Sequence, residues 1–132
     1  MTAGFSTPAG GFVGCSDSEI SDLESSFSVR LPESYKDFLR SCGKDAGSLL
    51  NFCLYQASGL IEFMKPHLAK LSNDFSLPAG GFAFIWDNDT ILYFDTTQGD
   101  DPPVWRYDEG EKKFDQVFPS FSAWLADHVS LN

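Results

Sequence analysis

Residues 82–96 read FAFIWDNDTILYFDT. Phe82–Trp86 and Ile91–Phe94 are apolar runs rich in aromatic and branched side chains, and both are too short to be helices. The residues between them, Asp87-Asn88-Asp89-Thr90, tolerate turn geometry and hydrogen-bond their own backbone. The segment is therefore a β-hairpin, and the rest of the chain must fold around it. The same acids could in principle hold a cation. A calcium-binding loop, however, needs Gly at its sixth position and Glu at its twelfth. Counted from Asp87 those places hold Leu92 and Gln98. Asp87 and Asp89 read as turn residues, and no metal is expected on them.

The neighbouring patterns supply a second strand pair and several helices. Val104–Tyr107 and Phe114–Phe118 flank Asp108-Glu109-Gly110-Glu111 and form strands of their own. Ser16-Asp17-Ser18-Glu19 has the form of a capping box, and Ile20, Leu23 and Phe27 follow at helical spacing. Leu31-Pro32 opens a second helix, Pro being suited to a first helical turn, with Leu31, Tyr35, Phe38, Leu39 and Cys42 on one stripe. Gly43 can adopt the left-handed conformation that stops it. Leu49–Tyr55 is short, apolar and aromatic, which suits a buried strand. Leu60–Leu71 carries Ile61, Met64, Leu68 and Leu71 at helical spacing, weakened or restarted by Pro66. Pro119-Ser120 ends the sheet and caps a last helix with Phe121, Trp124, Leu125 and His128 on one face. The order predicts a single α+β domain with a mostly antiparallel sheet packed with N-terminal and C-terminal helices. The Gly- and Pro-containing residues 1–15 read as a flexible arm, and residues 16–132 as the domain. The expected core is Leu31, Tyr35, Phe38, Leu39, Phe84, Tyr93, Phe94, Phe121, Trp124 and Leu125.

A chain of 132 residues, 42% hydrophobic and with 13 Phe, can fill one real core and is far too apolar for a disordered acidic tail. No apolar run approaches the roughly 18 residues that would span a bilayer. The opening MTAGFSTPAGGFVG has no basic region followed by a long apolar stretch, so no secretory signal is expected. Cys15, Cys42 and Cys53 are odd in number and form no CxxC pair, which points to a reduced, cytoplasmic setting. The net charge is −10, which repels nucleic acid and anionic membranes and attracts basic partners.

Catalytic chemistry finds little support in the pattern. Nothing in the sequence joins His67 or His128 to a cysteine as a dyad, and the common nucleotide, hydrolase and metalloprotease motifs are absent. What stands out is acid. Between Asp87 and Asp115 lie Asp87, Asp89, Asp95, Asp100, Asp101, Asp108, Glu109, Glu111 and Asp115, nine acids against Arg106, Lys112 and Lys113, leaving −6 of the −10. They sit in turns, so several should project from one end or edge of the sheet. As loop charges they should contribute little to stability. Trp105 and Tyr107 lie among them as candidate anchors for a basic protein. A merely solvated loop region is the alternative on composition alone.

Leu31-Pro32-x-x-Tyr35-x-x-Phe38-Leu39, then Phe84-x-x-Asp87, Tyr93-Phe94-Asp95, Pro103-Val104-Trp105 and Ser120-Phe121-x-x-Trp124-Leu125, in this order, resemble the SUKH superfamily over nearly the whole chain after its first fifteen residues. The resemblance implies an α+β domain. Many bacterial members look like immunity proteins that neutralise a co-produced toxin, often a nuclease or deaminase, and a fungal branch regulates cell-wall synthesis through protein contacts. One departure is Ser41-Cys42-Gly43-Lys44, where members often carry an Asn-Gly-Gly-like turn. The family shares no catalytic residues, so no catalytic, cofactor or metal residue carries over. The resemblance and the charge together imply a non-catalytic inhibitor of a basic toxin domain. A regulatory interaction module of the same fold and a small hydrolase using paired Asp are the alternatives.

Overall fold

A computed structural model of the chain describes residues 12–46, 54–71 and 77–131. The first strand, β1 (Phe12–Val13), pairs antiparallel with β2 (Asp45–Ala46). Between them lie helices α1 (Asp17–Phe27) and α2 (Glu33–Cys42). A third helix, α3, runs continuously through Ala57–Gly59, Leu60–Met64 and Lys65–Lys70. Four strands follow, β3 (Gly81–Asp87), β4 (Thr90–Asp95), β5 (Val104–Asp108) and β6 (Lys113–Phe118), and then helix α4 (Phe121–Leu131). The four strands form one antiparallel meander in the order β3-β4-β5-β6. The fold is the α+β domain that the sequence implies.

Local chemistry explains most of the element ends. The capping box on α1 forms as expected: Ser16 Oγ accepts from the Glu19 N–H at 3.2 Å, and Glu19 Oε1 accepts from the Ser16 N–H at 2.9 Å. Pro32 stands just outside α2 with extended geometry, φ −63° and ψ 149°, rather than within its first turn. The stripe Tyr35, Phe38, Leu39 and Cys42 is buried, as its spacing requires.

Three further expectations change. Gly43 is right-handed, with φ −66° and ψ −15°, so it does not end α2 by a left-handed turn. It is small because a Cβ there would stand 2.6 Å from Cys15 Sγ and 2.8 Å from the Leu39 carbonyl oxygen. Next, Pro66 neither breaks nor restarts α3. The turn before it widens, so that the Lys65 N–H donates to Leu60 five residues back, and this π turn makes room where a proline ring would collide with the preceding turn. Finally, the last part of the expected arm belongs to the fold. Phe12–Val13 pairs with β2, Cys15 is buried, and the Cys15 N–H donates to Leu39 O at 2.7 Å. Of the expected strand Leu49–Tyr55, Leu54 pairs with Trp86 on the outer edge of β3, and residues 49–53 lie outside the described residues.

All ten expected core residues are buried. Tyr35 sits at the centre, with ring centroids 5.3–5.9 Å from Phe38, Phe82, Phe84, Phe94 and Phe121. Phe84 in turn meets Phe121 at 5.4 Å and Trp124 at 5.1 Å, both edge-on. Helices α2 and α4 are thus fixed to the sheet by aromatic pairs, each contributing about 0.5–1.5 kcal/mol beyond its buried area. This holds the strands in place and so fixes where their connecting turns lie.

Candidate protein-binding surface

Strand order decides where the acids go. In a meander the β3–β4 and β5–β6 turns lie at one end of the sheet and the β4–β5 connection at the other. Strands of five to seven residues separate the two ends by roughly 20 Å. Asp87, Asp89, Asp108, Glu109 and Glu111 gather at the first end. Asp95, Asp100 and Asp101 stand at the second, so the acidic residues do not form one patch.

At the first end the two turns are bound to each other and to α3. Asn88 adopts the left-handed geometry, φ 53°, of a two-residue hairpin loop. The Glu109 N–H donates to Asp89 O at 2.7 Å, joining the two turns. Asp108 Oδ1 accepts from the Gly110 and Glu111 N–H groups at 2.9 and 3.1 Å, closing the β5–β6 turn. His67 on α3 lies 2.9 Å through Nε2 from Glu109 Oε2, and both side chains are largely buried. The same imidazole stacks on Trp86, with centroids 3.7 Å apart and planes at 15°. Trp86 Nε1 donates to Asn88 O at 2.9 Å. Asp87, Asp89 and Glu111 remain exposed on this braced backbone, Glu111 near Lys113 at 3.8 Å. A backbone held this way loses little further freedom on binding.

At the second end the acids support the fold. Asp95 Oδ1 accepts from the Thr97 N–H at 2.8 Å and from Thr97 Oγ1 at 2.6 Å. Asp101 Oδ1 accepts from the Ser122 N–H at 2.8 Å in the first turn of α4, and Ser120 Oγ accepts from Ala123 N–H at 3.0 Å. Asp101 is therefore a helix cap, not a loop charge of little consequence. The Asp100 side chain is exposed, while its carbonyl accepts from the Ser34 N–H at 3.0 Å. Asp115 pairs with Arg106 across β5–β6 at 3.3 Å.

The two aromatic anchors fare differently. Tyr107 is 1% exposed and belongs to the core, so it cannot anchor a partner. Its register explains this: it pairs with Ile91 on β4, which is itself fully buried. Trp105 is partly buried against the core and keeps a surface. Sequence reasoning missed the His67–Trp86–Glu109 cluster, whose members are far apart in the chain and carry no spacing signal.

The cysteines behave as core residues. Burial pushes the Cys15 thiol up to about 11, with Glu19 adding to the effect, and the Cys42 thiol up to about 12. Cys42 Sγ lies 3.4 Å from Phe38 O, which accepts its hydrogen. Neither is a ready nucleophile near neutral pH. Cys53 and the His128 side chain lie outside the described residues. No group of three or more His, Cys, Asp or Glu suited to a metal occurs among the described residues. A cleft of about 460 Å³ beside α1 contains one carboxylate, Glu24, which accepts from the Leu31 N–H at 2.8 Å and faces Lys36 at 3.8 Å. A paired-carboxylate site would need two. No helix among the described residues is long and apolar enough to cross a membrane.

No curated protein matches the chain. A family model does, covering residues 14–127, from the glycine packed against the end of α2 to the exposed part of α4, and thus every element around the braced acidic end. On that match the chain belongs to the SMI1 / KNR4 family (SUKH-1).

Proposed function

We propose that the chain is a non-catalytic immunity protein that acts in the cytoplasm, binding and neutralising a co-produced basic toxin domain. The observation that carries this reading is the joined acidic end of the sheet. There Asp87, Asp89, Asp108, Glu109 and Glu111 are drawn together by the Glu109–Asp89 backbone bond, on a chain of net charge −10. Family membership supports an immunity-type role. A nuclease presents a basic face to phosphates, and a rigid acidic end can occupy such a face. Asp95, Asp100, Asp101 and Trp105 remain part of the proposed surface as a second, flanking contact.

The test is association kinetics with the purified toxin domain encoded beside this chain. Electrostatic steering carries association toward roughly 10⁸–10⁹ per molar per second at low salt and falls steeply as ions screen it. The double substitution Asp87→Lys and Asp89→Lys should slow association at least tenfold at low salt and flatten its salt dependence, with the melting temperature little changed. Equal rates across the salt series would show that these acids do not steer the partner. Absence of binding to the native chain would overturn the immunity reading.

A further inference from the structure

The two outer edges of the sheet are treated differently. On β3, Leu54 engages Trp86 with both backbone bonds, at 2.8 and 3.0 Å. On β6 no strand follows among the described residues. An edge strand presents a row of unpaired N–H and C=O groups, and proteins normally blunt such edges. Among the described residues, the lysines and the strand irregularity that blunt this edge stand at its ends. Lys112 and Lys113 stand at the start, and a register irregularity opposite Val104 and Trp105 distorts the strand before Phe118. Phe114, Asp115 and Gln116 are left between them, all exposed.

Phe114 makes this edge unusual. At 62% exposure it is the most exposed of the large hydrophobic residues described. Its cross-strand partner Tyr107 is 1% exposed, so the ring continues a buried face of the sheet one strand beyond its cover. The next pair in the register, Asp108 with Lys113, lies at the acidic end itself. Among the described residues, open backbone groups and an uncovered ring therefore lie within a few residues of the acids of the joined turns.

We propose that β6 is a docking strand for an extended, basic segment of a protein partner. The segment adds a fifth strand, lays an apolar side chain on Phe114 and directs its cations to the acids of the joined turns. Strand addition draws affinity from main-chain hydrogen bonds and specificity from alternate side chains. A second copy of this chain fits poorly, because it brings its own charge of −10 to the same edge. The proposal rests on the immunity reading for the partner's basic character, but it assigns a surface that the acids alone do not.

The test uses the full native chain and two synthetic peptides, acetyl-(Lys-Val)₄-amide and acetyl-(Glu-Val)₄-amide, with backbone amide exchange followed residue by residue. The basic peptide should slow exchange of outward-facing amides within residues 114–116 at least tenfold, and the acidic peptide should not. Phe114→Ser should weaken the basic peptide's binding about tenfold with unchanged melting, since the ring is exposed. Protection confined to residues 87–89 and 108–111, or no binding of the basic peptide, would overturn the proposal. Protection of residues 114–116 without any peptide, rising with protein concentration, would also overturn it by giving the edge to a second copy. These assays contain no toxin. Toxin binding undiminished by Phe114→Ser would sink the docking strand while leaving the immunity reading in place.

Discussion

Tyr35 stands at the centre of the aromatic core with no exposed surface, and its hydroxyl has no hydrogen-bond partner among the described residues. Burial holds that hydroxyl in its neutral form, pushing its pKa well above the usual tyrosine value. A buried unsatisfied hydroxyl costs about 1–3 kcal/mol in lost hydration. Tyr35→Phe removes it and keeps the ring against Phe82, Phe84, Phe94 and Phe121. The vacated volume is about that of one oxygen, roughly 15 Å³, which at about 24 cal/mol per Å³ returns only about 0.4 kcal/mol. The substitution should therefore stabilise the domain by about 0.5–2.5 kcal/mol and raise its melting temperature by roughly 2–10 °C. Urea unfolding followed by tryptophan fluorescence measures the change, with an unchanged slope showing that the denatured state is unaffected. A loss of more than about 0.5 kcal/mol would refute the reasoning, because the hydroxyl would then be making a bond that the substitution breaks.

Phe38→Ala or Trp124→Ala should cost about 3–5 kcal/mol, since each side chain is essentially fully buried, and wild-type-like melting of both would contradict the core described above. Asp101→Ala should cost about 0.5–2 kcal/mol through the lost cap on α4, whereas Asp100→Ala should stay within about 0.5 kcal/mol, and thermal melts of the pair decide between them. The thiols predict an alkaline limit. Their folded pKa values are raised from 9.0 to about 11 at Cys15 and about 12 at Cys42, so the protonated folded state is favoured below the unfolded value. That stability is fully present below about pH 9 and is lost as pH rises toward 11–12. Replacing Cys42 by Ala should flatten this part of the stability profile, and an unchanged profile would show that the thiols do not contribute to it.

Much of the fold is legible in the sequence because its determinants are local. Ser16 and Glu19 satisfy each other's backbone across one turn, Asn88 accepts the left-handed geometry of its own hairpin, and Ser120 caps the helix it begins. Each decision is made within three or four residues, where chain connectivity alone brings the groups together. The apolar stripe of α2 is legible for the same reason, since helical spacing places Tyr35, Phe38 and Leu39 on one side. The candidate surface is different. Asp101 reaches Ser122 across 21 residues and His67 reaches Glu109 across 42, distances that only folding closes. Gly43 is required by Cys15, whose approach no local pattern announces. Trp105 and Tyr107 share a face by strand alternation, yet only the covering of that face decides which one is buried. The acids were visible as charge, but strand order, which is fixed by packing rather than by composition, divided them between two ends of the sheet.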